Sequence, residues 1–320
     1  MNAEVLLMFV LDVNRAYLYA HPDRELTLEE EARYDEVLAQ RANDLPSQYI
    51  TGHQEFWGLD LIVSPAVLIP RPETEHLVEA ALELARGVPH PRIVDVGTGS
   101  GCVALALAHE LPDAQVYAVD LSADALEIAR ANAVRLQLDQ RVRFLQCDVL
   151  QPERDEGSTV IVSFPAVIAN SPAAIANSPA VIPMSAAEAC PERSRRALAG
   201  VMERLSASRG TCGEEFCEFD FVVSNPPYVA FSEADKVQKS VFAFEPRIAV
   251  FAGEHGLDMI RPLIEQAYAA LKPGGWLALE IGYSMRDTVL SLLSPTMWED
   301  IRVVPDLQGI PRVVAAKRKF

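Results

Sequence analysis

The chain has 320 residues, 50% of them hydrophobic, which allows one large domain or two smaller ones around a sizeable buried core. Its 28 Lys and Arg against 45 Asp and Glu leave a formal net charge of −17, which repels polyanions and weighs against DNA or RNA as a direct partner. Cys102, Cys147, Cys190, Cys212 and Cys217 form no C-x-x-C pair, so no zinc or other metal site and no disulfide framework is expected. Met1-Asn2-Ala3-Glu4 lacks the basic flank of a secretory signal, and no apolar run reaches the roughly 18 residues of a membrane span, so a cytoplasmic protein with reduced thiols is expected.

Residues 1–45 read as helical. Glu4 to Leu11 carries apolar residues on neighbouring turns, His21-Pro22-Asp23 makes a turn, and Thr27-Leu28-Glu29-Glu30 has the spacing of a capping box. Leu45 to Pro72 is a connector rich in Pro, Gly and aromatic residues, in which Glu55 to Val63 supplies a short hairpin. Residues 1–72 therefore form a small helical module with a hairpin connector.

Residues 73–320 alternate helices with short β-rich runs. Thr74 to Arg86 is an amphipathic helix, Ile93 to Val96 a strand, and Val103 to Glu110 a helix. Val116 to Val119 is a second strand, Ala123 to Leu136 a helix, and Val142 to Leu145 a third strand. Phe219 to Val223 and Trp276 to Glu280 are further strands, the latter after a helix over Met259 to Leu271. This alternation predicts an α/β fold with a doubly wound, mostly parallel sheet, whose ligands sit outside the carboxyl ends of the strands.

The alternation breaks at about residues 152–216. Pro165 to Ser171 nearly repeats as Pro172 to Ser178 and begins again at Pro179, and such regular prolines stop a helix or a central strand. Pro191 to Arg209 has the spacing of a basic amphipathic helix. A crossover needs only about a dozen residues, so this segment reads as an insertion, tolerated rather than dedicated to a partner.

Two loops carry the chemistry. Asp95-Val96-Gly97-Thr98-Gly99-Ser100-Gly101 joins a strand to a helix, with Cys102 where a dinucleotide fingerprint needs its third glycine. The spacing instead resembles the first motif of Rossmann-like methyltransferases, in which the loop meets the methionine part of S-adenosyl-L-methionine. Asp120 ends the next strand, where an acid accepts from ribose hydroxyls; the bland alternative is a helix N-cap. Asp148 ends the third strand, facing the adenine amine.

Ser224-Asn225-Pro226-Pro227-Tyr228 follows the fourth strand. An amide or aromatic-amine nitrogen is a poor nucleophile, because its lone pair is delocalised. The Asn225 side-chain oxygen and the Pro226 carbonyl offer two acceptors for its two N–H groups, aiming the lone pair at a methyl donor and stabilising developing charge. Pro226 and Pro227 fix φ and so set the carbonyl direction, and Tyr228 offers a flat face for a planar group.

Together these segments resemble the HemK/PrmC family, the glutamine methyltransferases of peptide chain release factors. Gln48 to Gly52, Glu55 to Gly58 and Leu68 to Glu75 look like the family's interdomain signature. Phe244 to Arg247, Gly253 to Leu257, Lys272 to Gly275 and Asp306 to Arg312 match later segments. The resemblance covers nearly the whole chain except about residues 152–216.

It implies a Rossmann-like S-adenosylmethionine-dependent methyltransferase with a small N-terminal helical domain that helps recognise the release factor. The substrate is the glutamine of the Gly-Gly-Gln motif. By match of motif, Gly97, Thr98, Gly99, Ser100, Gly101, Asp120, Asp148 and Asn225 bind the cofactor. Asn225, Pro226, Pro227 and Tyr228 bind the glutamine, Asn225 and Pro226 acting catalytically, and Arg71 to Thr74 pack near the methyl donor.

The chain opens at what resembles a later helix of the family, which is expected to weaken recognition of the protein substrate. Two alternatives stay open from the residues. The first is methylation of the adenine exocyclic amine in DNA or RNA, which needs the same clamp plus a flipped base. The second is a cofactor-binding protein inactivated by the insertion.

Overall fold

The computed structural model describes residues 2–147 and 218–320. Asp148, the repeats and the expected helix over Pro191 to Arg209 lie outside the described residues.

The N-terminal part is helical: α1 (Asn2–Leu11), α2 (Arg15–Ala20), α3 (Leu28–Ala42) and α4 (Ser47–Thr51). The capping box is present at α3: the Thr27 side chain accepts from the Glu30 N–H, and Glu30 accepts from the Thr27 N–H at 2.9 Å. Each bond satisfies a donor that the first helical turn would leave open. Leu6, Val10, Val37 and Ile50 close a small core of their own.

β1 (His53–Phe56) and β2 (Leu59–Ile62) form the antiparallel hairpin. Its two-residue turn has positive φ at Trp57 (55°) and Gly58 (70°), the twist that matches paired strands. Trp57 tolerates this conformation because its backbone N–H is held by Glu75 at 2.9 Å and its ring N–H by Glu110 at 3.0 Å. Phe56, Leu59 and Leu61 belong to the main core, so the hairpin packs on the body of the sheet.

The remaining strands are β3 (Arg92–Val96), β4 (Gln115–Asp120), β5 (Val142–Gln146), β6 (Phe219–Ser224), β7 (Leu271–Glu280), β8 (Trp298–Pro305) and β9 (Pro311–Arg318). They form one sheet in the order β5-β4-β3-β6-β7-β9-β8. β5 to β7 run parallel, while β9 pairs antiparallel with both β7 and β8. The doubly wound, mostly parallel sheet expected from the alternation is present.

Helices cover both faces. α5 (Glu75–Leu84) and α6 (Cys102–Glu110) pack with Ile93, Phe221 and Val223 on one face. α10 (Ile260–Ala270) packs with Val94, Val222 and Leu279 on the other. Alternate residues of β3 and β6 thus enter opposite cores, the period of two that a strand buried on both sides must show. α7 (Ala123–Arg135) follows β4, and α8 (Lys239–Phe244), α9 (Arg247–Val250) and α11 (Arg286–Leu292) complete the helices named here. Several elements differ from the reading of the sequence: Pro72–Thr74 is a separate 3₁₀ turn before α5, and α8, α9, α11, β8 and β9 were not anticipated.

The chain runs outward from β3 through β4 to β5, then returns to lay β6 on the other side of β3. This is a topological switch point, and the loops after β3 and β6 diverge there to leave a crevice. Ser224 closes its floor by donating to the Val96 carbonyl at 2.6 Å.

Asn132, fully buried on α7, ties the hairpin to this crevice. Its amide accepts from the Ile62 N–H at 2.6 Å and donates to the carbonyls of Ile62 (3.0 Å) and Ser100 (2.9 Å). Asn132→Ala strands buried polar groups that each cost about 1–3 kcal/mol unpaired, so a loss of roughly 2–4 kcal/mol is expected in urea unfolding. A loss below about 0.5 kcal/mol, the scale of an ordinary surface change, would contradict this account.

Candidate active site

The loop after β3 turns back on itself within five residues. Gly97, Gly99 and Gly101 have φ of +73°, +56° and +84°, a region that side chains disfavour, which is why glycine occurs at every second position. Gly101 also lies where α6 crosses α7: a Cβ there would stand 3.0 Å from Leu105 Cδ1 and 3.2 Å from Ala129 Cβ.

The N–H groups of this loop are used inside the protein. Gly97 and Thr98 donate to the Val119 carbonyl, Gly101 donates to the Thr98 carbonyl, and Gly99 donates to Asp120 Oδ2 at 2.8 Å. A phosphate cradle would keep such donors free. This loop suits a ligand without phosphate.

One cavity runs along the crevice. Asp95, the four residues from Gly97 to Ser100, and Asp120 line it together with Asn225, Pro226 and Pro227, whereas Gly101 does not. Ala66, Val67, Pro70, Ile248 and Leu263 add apolar wall, and Arg71 and Thr74 also face it. Asn225 and Pro226 therefore line the same space as the glycine loop.

Two acids stand at the carboxyl ends of neighbouring strands here, Asp95 fully buried and Asp120 partly so. Asp95 Oδ2 accepts from the Thr98 hydroxyl (2.7 Å) and the Ala104 N–H (3.1 Å). Burial outweighs these bonds and pushes its carboxyl up to about 7. Asp120 Oδ1 accepts from the Ser122 N–H at 2.9 Å, and burial raises this carboxyl too. The N-cap of α7 is Ser122, whose side chain accepts from the Ala125 N–H, so Asp120 is not consumed by capping. Three backbone N–H groups, of Gly99, Ser122 and Leu121, bond this carboxylate, which leaves accepting capacity for a ligand.

On the opposite side, Asn225 Nδ2 donates to Thr74 Oγ1 at 3.0 Å, leaving the amide oxygen as the free end. Tyr228 stands apart from its three predecessors. It does not line the cavity; its ring lies against Gly282, and its hydroxyl donates to Glu280 Oε1 at 3.3 Å. Gly256 abuts the same segment, since a Cβ on it would fall 2.3 Å from the Tyr228 carbonyl oxygen.

Residues 1–52 match the family model of the PrmC N-terminal domain, and residues 93–181 match that of a methyltransferase domain. The release factor glutamine methyltransferase of Koribacter versatilis is 46% identical over 99% of this chain and 91% of its own length. That of Geobacter sulfurreducens is 34% identical over 99% of this chain and 89% of its own. This chain belongs to the release factor glutamine methyltransferase family. It is a methyltransferase that takes its methyl group from S-adenosylmethionine. The catalytic domain of hMettl16 in complex with MAT2A 3′UTR hairpin 6 shares the fold, with a TM-score of 0.51, 14% identity, and coverage of 82% of this chain and 76% of that one. Among the described residues, no helix is long and apolar enough to cross a membrane.

The segments that carry the family resemblance lock together around the cavity. Tyr49 donates to the Val67 carbonyl at 2.7 Å, while the buried Glu245 pairs with Arg71 and accepts from the Ile69 N–H at 3.2 Å. The stretch from residue 66 to 74 is thus held from both sides as one wall of the methyltransferase cavity.

Two acids at the site had no role in the sequence reading, Asp95 and Glu280, while Thr74, expected near the methyl donor, lines the cavity and holds Asn225. The available signal was an acid closing an otherwise apolar run, as in Ile93-Val94-Asp95 and Leu277-Ala278-Leu279-Glu280. Such acids are almost never fully buried without a partner.

Glu280, 2% exposed, is pushed up to about 7 by burial, against the Thr74 and Tyr228 hydroxyls and the charge of Arg312, which favour the ionised form. The folded state then holds this proton longer than the unfolded chain, whose value lies near 4.5. Stability from this group is fully present below pH 4.5 and is lost as pH rises to about 7. Urea unfolding of Glu280→Gln across this range is expected to show the variant gaining on the parent between these values and running level above them.

Proposed function

We propose that this chain transfers the methyl group to the side-chain amide nitrogen of the glutamine in the Gly-Gly-Gln motif of peptide chain release factors. The observation that carries this reading is the meeting, in one cavity, of an acid-lined glycine loop with the Asn225 and Pro226 acceptors.

S-adenosylmethionine, when bound, supplies an electrophilic methyl group. Its ammonium fits the buried Asp95 carboxyl, which has every reason to seek a cation, and its ribose hydroxyls fit the spare lone pairs of Asp120. Gly97, Thr98, Gly99 and Ser100 form the wall beside the methionine part, with Gly101 setting the turn behind them, and Asp148 takes the adenine amine.

The Asn225 oxygen and the Pro226 carbonyl accept the two N–H groups of the glutamine amide. This holds the nitrogen in the plane that turns its lone pair toward the methyl group and disperses the positive charge that grows on it. Pro226 and Pro227 keep the acceptors in place, because φ cannot relax. Tyr228 braces the segment from behind. The methylated nitrogen is acidic enough to release its proton to solvent, so positioning supplies much of the acceleration.

The helical module and hairpin, residues 1–72, are the part that recognises the release factor. The net charge of −17 supports a protein rather than a nucleic-acid substrate.

The protein is to be incubated with labelled S-adenosylmethionine and, separately, release factor, ribosomal proteins and nucleic acid, and the label located by mass spectrometry. Label on the Gly-Gly-Gln glutamine is expected; label on an adenine with none on glutamine would overturn the reading. Asn225→Ala is expected to lower kcat by about 100-fold or more while the cofactor Kd from calorimetry stays within roughly threefold.

A further inference from the structure

A glutamine side chain is short. Its amide nitrogen reaches only about 5 Å from its own Cα, so a glutamine held by Asn225 and Pro226 keeps its backbone at the mouth of the cavity. Each further residue of an extended chain adds about 3.3–3.6 Å. The residues flanking the glutamine therefore cross the surface next to that mouth.

Ile248 marks part of this surface. It lines the cavity and is nevertheless 57% exposed, so its side chain stands where the cavity opens to solvent. It lies on α9, and Phe251 directly follows that helix. Two further rings rest on Phe251: Phe231 stacks on it with centroids 5.6 Å apart, and Phe242 meets it edge-on at 6.1 Å. Phe231 is 52% exposed and Phe242 39%. The guanidinium of Arg247, next to Ile248 in the chain, lies 4.9 Å from the centre of the Phe242 ring. Three exposed apolar side chains and one cation thus form a contiguous platform beside the mouth.

The platform is firmly backed. The Val229 N–H donates to the Val250 carbonyl at 3.1 Å, the Ala252 N–H to the Val229 carbonyl at 2.9 Å, and the Phe231 N–H to the Gly253 carbonyl at 2.8 Å. These bonds fasten it to the chain that leaves Tyr228, which fixes the platform relative to Asn225. Exposed apolar side chains scattered singly are ordinary, whereas a held cluster next to a cavity marks an interaction surface. Aromatic rings and arginine are also the groups that protein interfaces collect.

We propose that Phe231, Phe242 and Ile248 form a docking platform for the polypeptide that carries the target glutamine, seating an apolar side chain of the release factor. This rests on the reading of that glutamine as the methyl acceptor. The seated side chain comes from outside the Gly-Gly-Gln motif, because the two glycines have none to offer. Nucleobases also stack on rings, but a chain of net charge −17 repels the phosphates that accompany them.

The test is turnover as a function of release factor concentration at saturating S-adenosylmethionine. Phe231→Ala and Phe242→Ala are each expected to raise the KM for release factor about 5- to 20-fold, and the double variant about 20-fold or more. The kcat and the cofactor Kd are expected to stay within about threefold of the parent. Phe242→Leu keeps an apolar surface and is expected to hold KM within about threefold.

A folded double variant with KM within about twofold of the parent would overturn the proposal. A fall in kcat or cofactor affinity as large as the rise in KM would overturn it too, since that is the sign of a distorted cavity. A parent dimer that the double variant dissolves, with KM unchanged, would assign the platform to a second copy instead. If the double variant fails to fold, amide hydrogen exchange of the parent decides. Release factor is then expected to slow exchange across residues 239–248 about fivefold or more, and unchanged rates would overturn the platform. Transfer by the parent to an adenine and not to glutamine removes the reading of the substrate, and the platform with it. Transfer to glutamine with KM unchanged in the variants removes the platform alone.

Discussion

Everything at the site depends on β3 and β6 ending side by side. Val96 is paired with Ser224 in parallel register, and the Ser224 hydroxyl adds a bond to the Val96 carbonyl at 2.6 Å. One residue later on each strand, the chain turns away in opposite directions, into Gly97 and into Asn225. A slip of one residue in this pairing would exchange core and opposite-face side chains along β6 and carry the clamp away from the glycine loop. The apolar alternation that fills both cores therefore also sets the distance between the glycine loop and Asn225.

Around that junction the protein places acids where acids are costly. Asp95 stands one residue before the end of β3, Asp120 and Glu280 end β4 and β7, and burial raises all three carboxyls. Their partners differ. Asp95 and Asp120 open onto the cavity and bond to N–H and hydroxyl groups from one side only, which suits a cationic, hydroxyl-bearing cofactor. Glu280 does not line the cavity, and its hydrogen bond comes from the Tyr228 hydroxyl. One physical effect, desolvation, thus acts on two acids that open onto the cavity and on a third behind it. Violations of the rule that acids stay in water collect at the strand ends that form the site.

The wall across the cavity has a similar economy. Tyr49 on α4 and Glu245 after α8 grip the segment from residue 66 to 74 from opposite sides, and that segment brings Thr74 to Asn225. The N-terminal helices are thereby coupled to the chemistry through packing and hydrogen bonds, with Tyr49, Val67 and Ile69 in one cluster with Ala125 and Ile128 of α7.

Much of this was legible in the residues. The parallel strands stand out because strands buried on both faces are short apolar runs set between amphipathic helices. Gly97 to Gly101, Asp120 and Asn225 to Pro227 stand out because each follows a strand directly. β8 and β9 did not stand out: Glu299, Asp300 and Arg302 interrupt β8, and the insertion of β9 between β7 and β8 is a matter of pairing rather than local pattern. Glu280, and the bond from Asn225 to Thr74, were silent for a related reason. Thr74 lies 151 residues from Asn225, and a threonine before a helix looks like any other helix start.

By itself, then, the sequence determined the order and type of the central elements, the glycine turn, and the acceptor-bearing Asn225-Pro226-Pro227 segment, because each is dictated by neighbours along the chain. Only the tertiary structure decided that the glycine loop spends its N–H groups internally, that Tyr228 turns away from the cavity, and that Asn225 presents its oxygen. Those outcomes depend on hydrogen-bond partners brought from distant strands, and which partner a polar group meets is settled only when the sheet is assembled.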